Sequence, residues 1–164
     1  EMQRSLVGSE MCIRDRIVIS GSLEAVAQAA EQLKAAGARR VLPLNVSGPF
    51  HSPFMKPAGE KLERELEQVR LSELQIPYVS NVSAQPITKT EQIRSLLSRG
   101  VYSPVKWEQS MRTMLAEGVE YFVEIGPGHT LSTLLKKINA EAKICTVSTM
   151  EDLVRMQDFL NETV

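Results

Sequence analysis

No stretch of this 164-residue chain approaches the roughly 18 apolar residues that span a bilayer, so a membrane-crossing helix is excluded. Neither charge sign dominates. The formal net charge is −1, and the electrostatic footprint of a nucleic-acid binder is missing, although a local basic patch stays open. Cysteine is scarce: Cys12 and Cys145 have neither metal-ligand spacing nor a disulfide framework. A reducing cytoplasm is the default compartment, and no metal and no resident cofactor are expected. Internal repeats and low-complexity segments are absent too. So is any G-x-S-x-G elbow, the usual carrier of a serine nucleophile in α/β acyl-transfer enzymes. What remains is an ordinary globular composition, 43% hydrophobic and 24% charged, long enough for one domain or pieces of two.

Strand-like and helix-like segments alternate along most of it. Ile17–Ser20 reads as a short buried strand ending at Gly21. Ser22 can cap a helix whose apolar positions are Leu23, Val26, Ala27, Ala30 and Leu33, with Gly37 as the stop. Residues 39–46 form a second strand-like run, placed at an edge or bent because Pro43 cannot donate a ladder hydrogen bond. This β-α-β unit is too small to bury a core alone. Helices are predicted over 57–69, over 91–99 behind Thr90 as cap, over 107–116 until Glu117-Gly118 breaks it, over 129–138 and over 151–160. Strands are predicted over 78–82, followed by a Gln85-Pro86 turn, over 121–125 and over 144–147. The alternation implies an α/β fold with largely parallel pairing.

Val46-Ser47-Gly48-Pro49-Phe50-His51-Ser52-Pro53-Phe54-Met55 sets a lone histidine between a strand-like run and an amphipathic helix. Histidine exchanges a proton near neutral pH and is the commonest general base. Pro49 and Pro53 stiffen the loop, and Gly48 permits close approach of backbone or ligand. The plain alternative is a surface or satisfied core histidine. Ser52 adjoins His51, but neighbouring side chains on one backbone rarely face each other; Ser47 and Ser83 have no elbow context. Asn81, at a strand end, can hydrogen-bond a ligand or satisfy its own turn.

Gly126-Pro127-Gly128 follows a strand and opens a helix, where backbone N–H groups can bind an anion. It lacks the glycine spacing of dinucleotide sites and the lysine of phosphate loops, so a tight turn is the better reading. His129 is expected at the surface, Trp107 in core packing and Lys106 in solvent. Glu60, Glu63, Glu65 and Glu67 read as a solvated helix face rather than a carboxylate dyad.

The first sixteen residues look foreign. Glu10-Met11-Cys12-Ile13-Arg14-Asp15-Arg16 is similar to a reading-frame translation of the transposase adapter used in sequencing libraries. Residues 1–16 are therefore expected to be an artefact or a disordered tail, with Cys12 outside the natural protein and the N-terminal half missing.

From Ile17 to about Leu160 the chain resembles the C-terminal half of the malonyl-CoA:acyl-carrier-protein transacylases. Ala35-Ala36-Gly37-Ala38-Arg39-Arg40, Val46 to Pro57, Tyr102 to Trp107 and Glu120 to Leu135 carry the resemblance. It implies a partial α/β-hydrolase-like large subdomain over 48–164 and the last β-α-β of a ferredoxin-like small subdomain over 17–47. It implies transfer of malonyl from coenzyme A to the phosphopantetheine thiol of acyl carrier protein through a serine acyl-enzyme, in fatty-acid synthesis. His51 matches the family's general base. A backbone carbonyl near Gly100, where some members have glutamine, would orient it. Phe50 before His51 is compatible with a small acyl group. The family's Gly-Gln-Gly-Ser-Gln oxyanion segment, its Gly-His-Ser-Leu-Gly elbow and its carboxylate-binding arginine lie upstream in the family and are absent here. The isolated chain is thus expected to be inactive and poorly stable. Two other readings remain: a fragment of a polyketide synthase acyltransferase domain, or a non-catalytic module that binds carrier protein.

Overall fold

The computed structural model describes the backbone of residues 6–13 and 16–161 and the side chains from Ile17 onward. The chain divides into two compact units, Glu1–Ser110 and Met111–Val164, and its fold is mixed α/β.

In the first unit, β1 (Leu6–Ile13) pairs antiparallel with β2 (Arg16–Gly21), from Leu6 opposite Gly21 to Ile13 opposite Arg16. The sequence reading placed no element at β1. It also expected β2 to be buried, yet Ile17 is exposed and only Ser20 is buried. Helix α1 (Leu23–Ala35) starts where the Ala25 N–H donates to Ser22 Oγ at 3.3 Å, as expected of that cap. It ends at Gly37, whose φ of 88° suits a residue without Cβ. Its buried face is Ala25 and Ala29 rather than the expected Leu23–Leu33 stripe; Leu23 is 92% exposed. Residues 39–46 are irregular, not a strand. Pro43 supplies no donor, and no strand among the described residues runs beside them, so nothing selects the extended ladder.

Past the histidine loop and a 3₁₀ turn (Pro53–Met55), α2 (Lys56–Glu67) lies against α3 (Ile93–Gly100). Between them β3 (Tyr78–Val79) and β4 (Pro86–Ile87) form a short antiparallel hairpin. Its turn lies before the expected Gln85-Pro86: the Ala84 N–H donates to the Ser80 carbonyl at 2.7 Å, and Ala84 has φ 58°. Val82, Ile87 and Leu96 make the buried cluster, with Tyr78 and Ile93 packed on it. Each such side chain contributes about 1.5–3 kcal/mol over exposure, enough to fix α3 on the hairpin. Thr90 does not cap α3; it begins a 3₁₀ turn (Thr90–Gln92), and its hydroxyl donates to the Ser72 carbonyl at 3.2 Å. Lys56 meets Glu60 at 3.8 Å on an exposed face, as a solvated helix predicts.

Helix α4 (Trp107–Ala116) spans the boundary between the units and ends before Gly118, φ 85°. The second unit continues β5 (Tyr121–Ile125), α5 (Thr130–Ile138), β6 (Lys143–Val147), α6 (Met150–Asn161). β5 and β6 are parallel, Tyr121 opposite Lys143 and Ile125 opposite Val147. Leu134, Leu135, Ala142 and Val147 are buried. The Phe159 ring on α6 meets Tyr121 edge-on at 5.5 Å. Of the ladders among the described residues, only β5–β6 is parallel, which corrects the expectation of largely parallel pairing. The other two join segments close in sequence, and short connections permit only antiparallel neighbours.

Candidate functional site

His51 occupies the left-handed region, φ 53°, which costs a residue with a Cβ on the order of 1 kcal/mol. Two bonds hold it there. The His51 N–H donates to the Val101 carbonyl at 3.1 Å, and Nδ1 lies 2.8 Å from the Gly100 carbonyl oxygen. A carbonyl can only accept, so this contact places a proton on Nδ1, and in the neutral ring the lone pair is on Nε2. The half-buried ring is oriented by backbone, and Nε2 is the nitrogen that the Gly100 carbonyl does not engage.

The sequence-predicted residues of the first unit come together here. Gly100 provides the carbonyl. The Asn81 side chain fills the space beside it, where a Cβ on Gly100 would lie 3.3 Å from Asn81 Oδ1. The Asn81 backbone carbonyl accepts from Lys106 N–H at 2.9 Å. Phe50 precedes His51 and is 39% exposed. Ser52 is fully buried, and its hydroxyl donates to the Pro49 carbonyl at 2.6 Å. That bond stiffens the loop and occupies the hydroxyl proton, which removes Ser52 as a nucleophile.

Two contributors were missed in the sequence. Gly59 on α2 is buried against α3: a Cβ there would lie 2.5 Å from Tyr102 Cδ1 and 2.8 Å from the Ser98 carbonyl oxygen. A glycine inside a helical pattern is the signal for such an approach. Arg94 on α3 donates from Nε to the Leu66 carbonyl at 2.9 Å and from Nη2 to the Val69 carbonyl at 2.7 Å, capping the end of α2. Nothing in the local sequence marks that arginine. Together they hold the helix that follows His51 against the helix that ends at Gly100.

In the second unit, Gly126 (φ 138°) and Gly128 (φ 90°) form the turn into α5. The helix start is already occupied. The Glu124 carboxylate accepts from Leu131 N–H at 3.0 Å, Ser132 N–H at 2.8 Å and the Ser132 hydroxyl. This built-in anion takes the donors an external one would use, so the turn reading stands. Burial alone would raise the Glu124 pKa, but the Ser132 hydroxyl and N–H, the Leu131 N–H and nearby His129 together hold it below its ordinary 4.5. His129 is exposed and caps nothing with its side chain. Among the described residues no cluster of His, Cys, Asp or Glu could hold a metal ion, and no helix is long and apolar enough to cross a membrane.

Residues 2–158 match the acyl transferase domain family, to which the chain belongs. Among its relatives, the malonyl CoA-acyl carrier protein transacylase of Bacillus subtilis is 46% identical over 138 residues, covering 84% of this chain and 44% of the relative. That of Staphylococcus aureus is 41% identical over the same length, covering 45% of the relative. The malonyl-CoA:acyl carrier protein transacylase of Xanthomonas oryzae pv. oryzae superposes with a TM-score of 0.88 at 30% identity, over 95% of this chain and 50% of its own. A malonyl-transacylase in complex with its type II PKS acyl-carrier protein gives 0.84 at 37% identity, over 93% of this chain and 49% of its own. The chain thus spans about half the length of the relatives it matches.

Proposed function

We propose that this chain supplies the general-base half of an acyltransferase that moves malonyl from coenzyme A to acyl carrier protein, with the nucleophile lying outside the chain. The observation that carries the reading is the 2.8 Å contact between His51 Nδ1 and the Gly100 carbonyl, because it leaves Nε2 free as the acceptor. Nε2 takes the proton of a serine hydroxyl as its oxygen attacks the thioester carbonyl, and returns it to the departing thiolate of coenzyme A. In the second half-reaction Nε2 takes the proton of the phosphopantetheine thiol, the sulfur attacks the serine ester, and the proton goes back to the serine oxygen. Asn81 and Phe50 line the acyl side of the base. Residues 17–47 belong to the ferredoxin-like small subdomain and 48–164 to the hydrolase-like large one. The cytoplasm, where fatty-acid synthesis finds its coenzyme A thioesters, is the compartment of this reaction.

The names and folds of the relatives support this assignment. The polyketide reading draws support from the type II carrier-protein complex among the structural neighbours, and differs only in the carrier served. The foreign origin of residues 1–16 belongs to the same proposal, on the adapter-like Glu10–Arg16 segment. Sequencing the source DNA upstream of the Ile17 codon tests it: an in-frame half with a Gly-His-Ser-Leu-Gly elbow there supports it, and residues 1–16 truly encoded there remove it.

The test of the reaction uses a single chain in which residues 17–164 follow the remaining part of the Bacillus subtilis relative. Replacing His51 with Gln is expected to lower malonyl transfer by about 10²–10⁴-fold, the range of a lost general base. The present chain alone is expected to take up no malonyl group. Retained transfer in the His51→Gln protein, or covalent malonyl on any serine of the present chain, refutes the assignment.

A further inference from the structure

Asn81 lies in the turn of the β3–β4 hairpin, yet the turn does not use its side chain. Serines supply the side-chain bonds there: the Val82 N–H donates to Ser80 Oγ at 3.2 Å and the Gln85 N–H to Ser83 Oγ at 3.2 Å. Ser80 is fully buried, its N–H donates to the Gln85 carbonyl at 3.3 Å, and its carbonyl accepts from Ala84 N–H. On the other side Val82 belongs to the buried cluster, and the Asn81 carbonyl itself accepts from Lys106 N–H at 2.9 Å. The Asn81 main chain is therefore fixed from both directions. Its half-buried carboxamide, by contrast, makes no hydrogen bond among the described residues, either to the turn or to the Gly100 carbonyl that receives His51 Nδ1. The amide lies against Gly100 all the same: a Cβ there would stand 3.3 Å from Oδ1 and 3.6 Å from Nδ2. A rigidly presented amide, its donor and acceptor both unpaired beside the residue that orients the base, is equipped to hold a ligand.

The chemistry of that ligand follows from the amide. Oδ1 only accepts and Nδ2 only donates, so both are paired only by a ligand that offers a C=O and an N–H. Of the groups a malonyl thioester brings to this side of the base, the carboxylate and the thioester carbonyl are acceptors alone and leave Oδ1 unpaired. The pantetheine arm beyond the sulfur offers both, in two successive peptide-like amides. We propose that the Asn81 carboxamide binds this arm, Nδ2 donating to an amide carbonyl and Oδ1 accepting an amide N–H. Coenzyme A and the phosphopantetheine of acyl carrier protein carry the same arm, so one side chain serves both half-reactions. This deepens the malonyl-transfer reading of His51 and rests on it.

The test uses the chain that joins residues 17–164 to the remaining part of the Bacillus subtilis relative. Pantetheine should move the Asn81 Nδ2 proton resonances, and 2-mercaptoethanol, a thiol without amides, should leave them in place. In Asn81→Ala the malonyl-enzyme should react with pantetheine about tenfold less efficiently, read as kcat/KM, while its reactions with 2-mercaptoethanol and with water stay within about twofold. A residue that only supported His51 or the hairpin would slow all three alike, so an equal loss overturns the inference. So does undiminished transfer to pantetheine in Asn81→Ala, and so do Asn81 resonances that pantetheine does not move. The resonance measurement needs no substitution and decides the matter even where Asn81→Ala fails to fold. It also separates the two readings. Shifted resonances in a joined chain that takes up no malonyl keep the arm site and remove the proposed reaction. Transfer that His51→Gln abolishes, without those shifts, keeps the reaction and removes the arm site.

Discussion

Gly59 offers the sharpest test of how the site is held. In Gly59→Ala the new Cβ would lie 2.5 and 2.7 Å from two carbons of the Tyr102 ring and 2.8 Å from the Ser98 carbonyl oxygen. The ring can rotate; the carbonyl is backbone and yields only if α2 and α3 part. Restoring the ordinary 3.4 Å contact requires an opening of about 0.6 Å. Gly100 is two residues beyond Ser98, so the same opening stretches the His51–Gly100 contact from 2.8 Å to about 3.4 Å, outside good N–H···O geometry. Overpacking of this kind costs about 2–3 kcal/mol where backbone must move, and the better helix propensity of alanine returns about 1 kcal/mol. The net loss of about 1–2 kcal/mol should speed amide exchange in α2 and α3 roughly five- to thirtyfold. The His51 Nδ1 proton should lose its protection in the same spectra. An exposed helical glycine replaced by alanine would do the reverse and slow exchange about fivefold. That result would show that the close approach at Gly59 does not exist in solution.

Glu124 should titrate below 4.5. Because its folded pKa is lowered, the carboxylate contributes stability that is complete above about pH 4.5 and is lost as pH falls through the folded value. Carbon NMR of the Glu124 carboxyl, followed with the Leu131 and Ser132 amide shifts, checks this; a midpoint above 4.5 refutes it. Gly100→Ala asks Asn81 to give by a few tenths of an ångström, because the new Cβ meets Oδ1 at 3.3 Å. The orienting carbonyl is backbone and survives, so transfer in the joined chain should fall less than about fivefold. A collapse comparable to His51→Gln would mean that the 100 position does more than present its carbonyl.

Where a segment's structure is set by neighbours in sequence, it was readable. Ser22 and Gly37 bound α1, Trp107 starts α4 and Glu117-Gly118 ends it, and the Tyr121–Ile125 strand runs into a glycine turn, all as local capping and periodicity require. The failures have one cause. Residues 39–46 have strand composition, but a strand is defined by its ladder, and no partner strand is present among the described residues to make one. In the apolar stripe of α1, Leu23, Ala27 and Leu33 are exposed and Val26 and Ala30 half-buried, and Ala25 and Ala29 form the covered face instead. At the site, His51 was marked by its loop, and Gly100 by family resemblance alone, since a glycine that acts through its carbonyl has no side-chain signature. Arg94 and Glu124 were illegible because they bind backbone across 25 or more residues and across seven or eight.

The same logic explains why the proposed proton acceptor, His51, depends on residues with no part in the chemistry. A histidine at φ 53° is strained, and left to itself the loop would relax toward negative φ. It is held by a pair of carbonyls, Gly100 and Val101, at the end of one helix. Each bond contributes about 1 kcal/mol, so the two together outweigh the strain by only a small margin. The margin is fixed by how closely α3 approaches α2, and that distance is set by the missing Cβ of Gly59 and by the bonds from Arg94 to Leu66 and Val69. Losing either restraint lets the carbonyls retreat, the backbone strain relax and Nδ1 lose its acceptor. The Nδ1–H tautomer is then no longer enforced, and the fraction of molecules with a free lone pair on Nε2 falls. Arg94→Ala should therefore act as Gly59→Ala does on the His51 ring. It should leave the ring's chemistry intact, weaken Nδ1 proton protection about tenfold, and lower malonyl transfer of the joined chain in proportion. Transfer unchanged alongside lost protection would show that the base is oriented by something other than the α3 carbonyls.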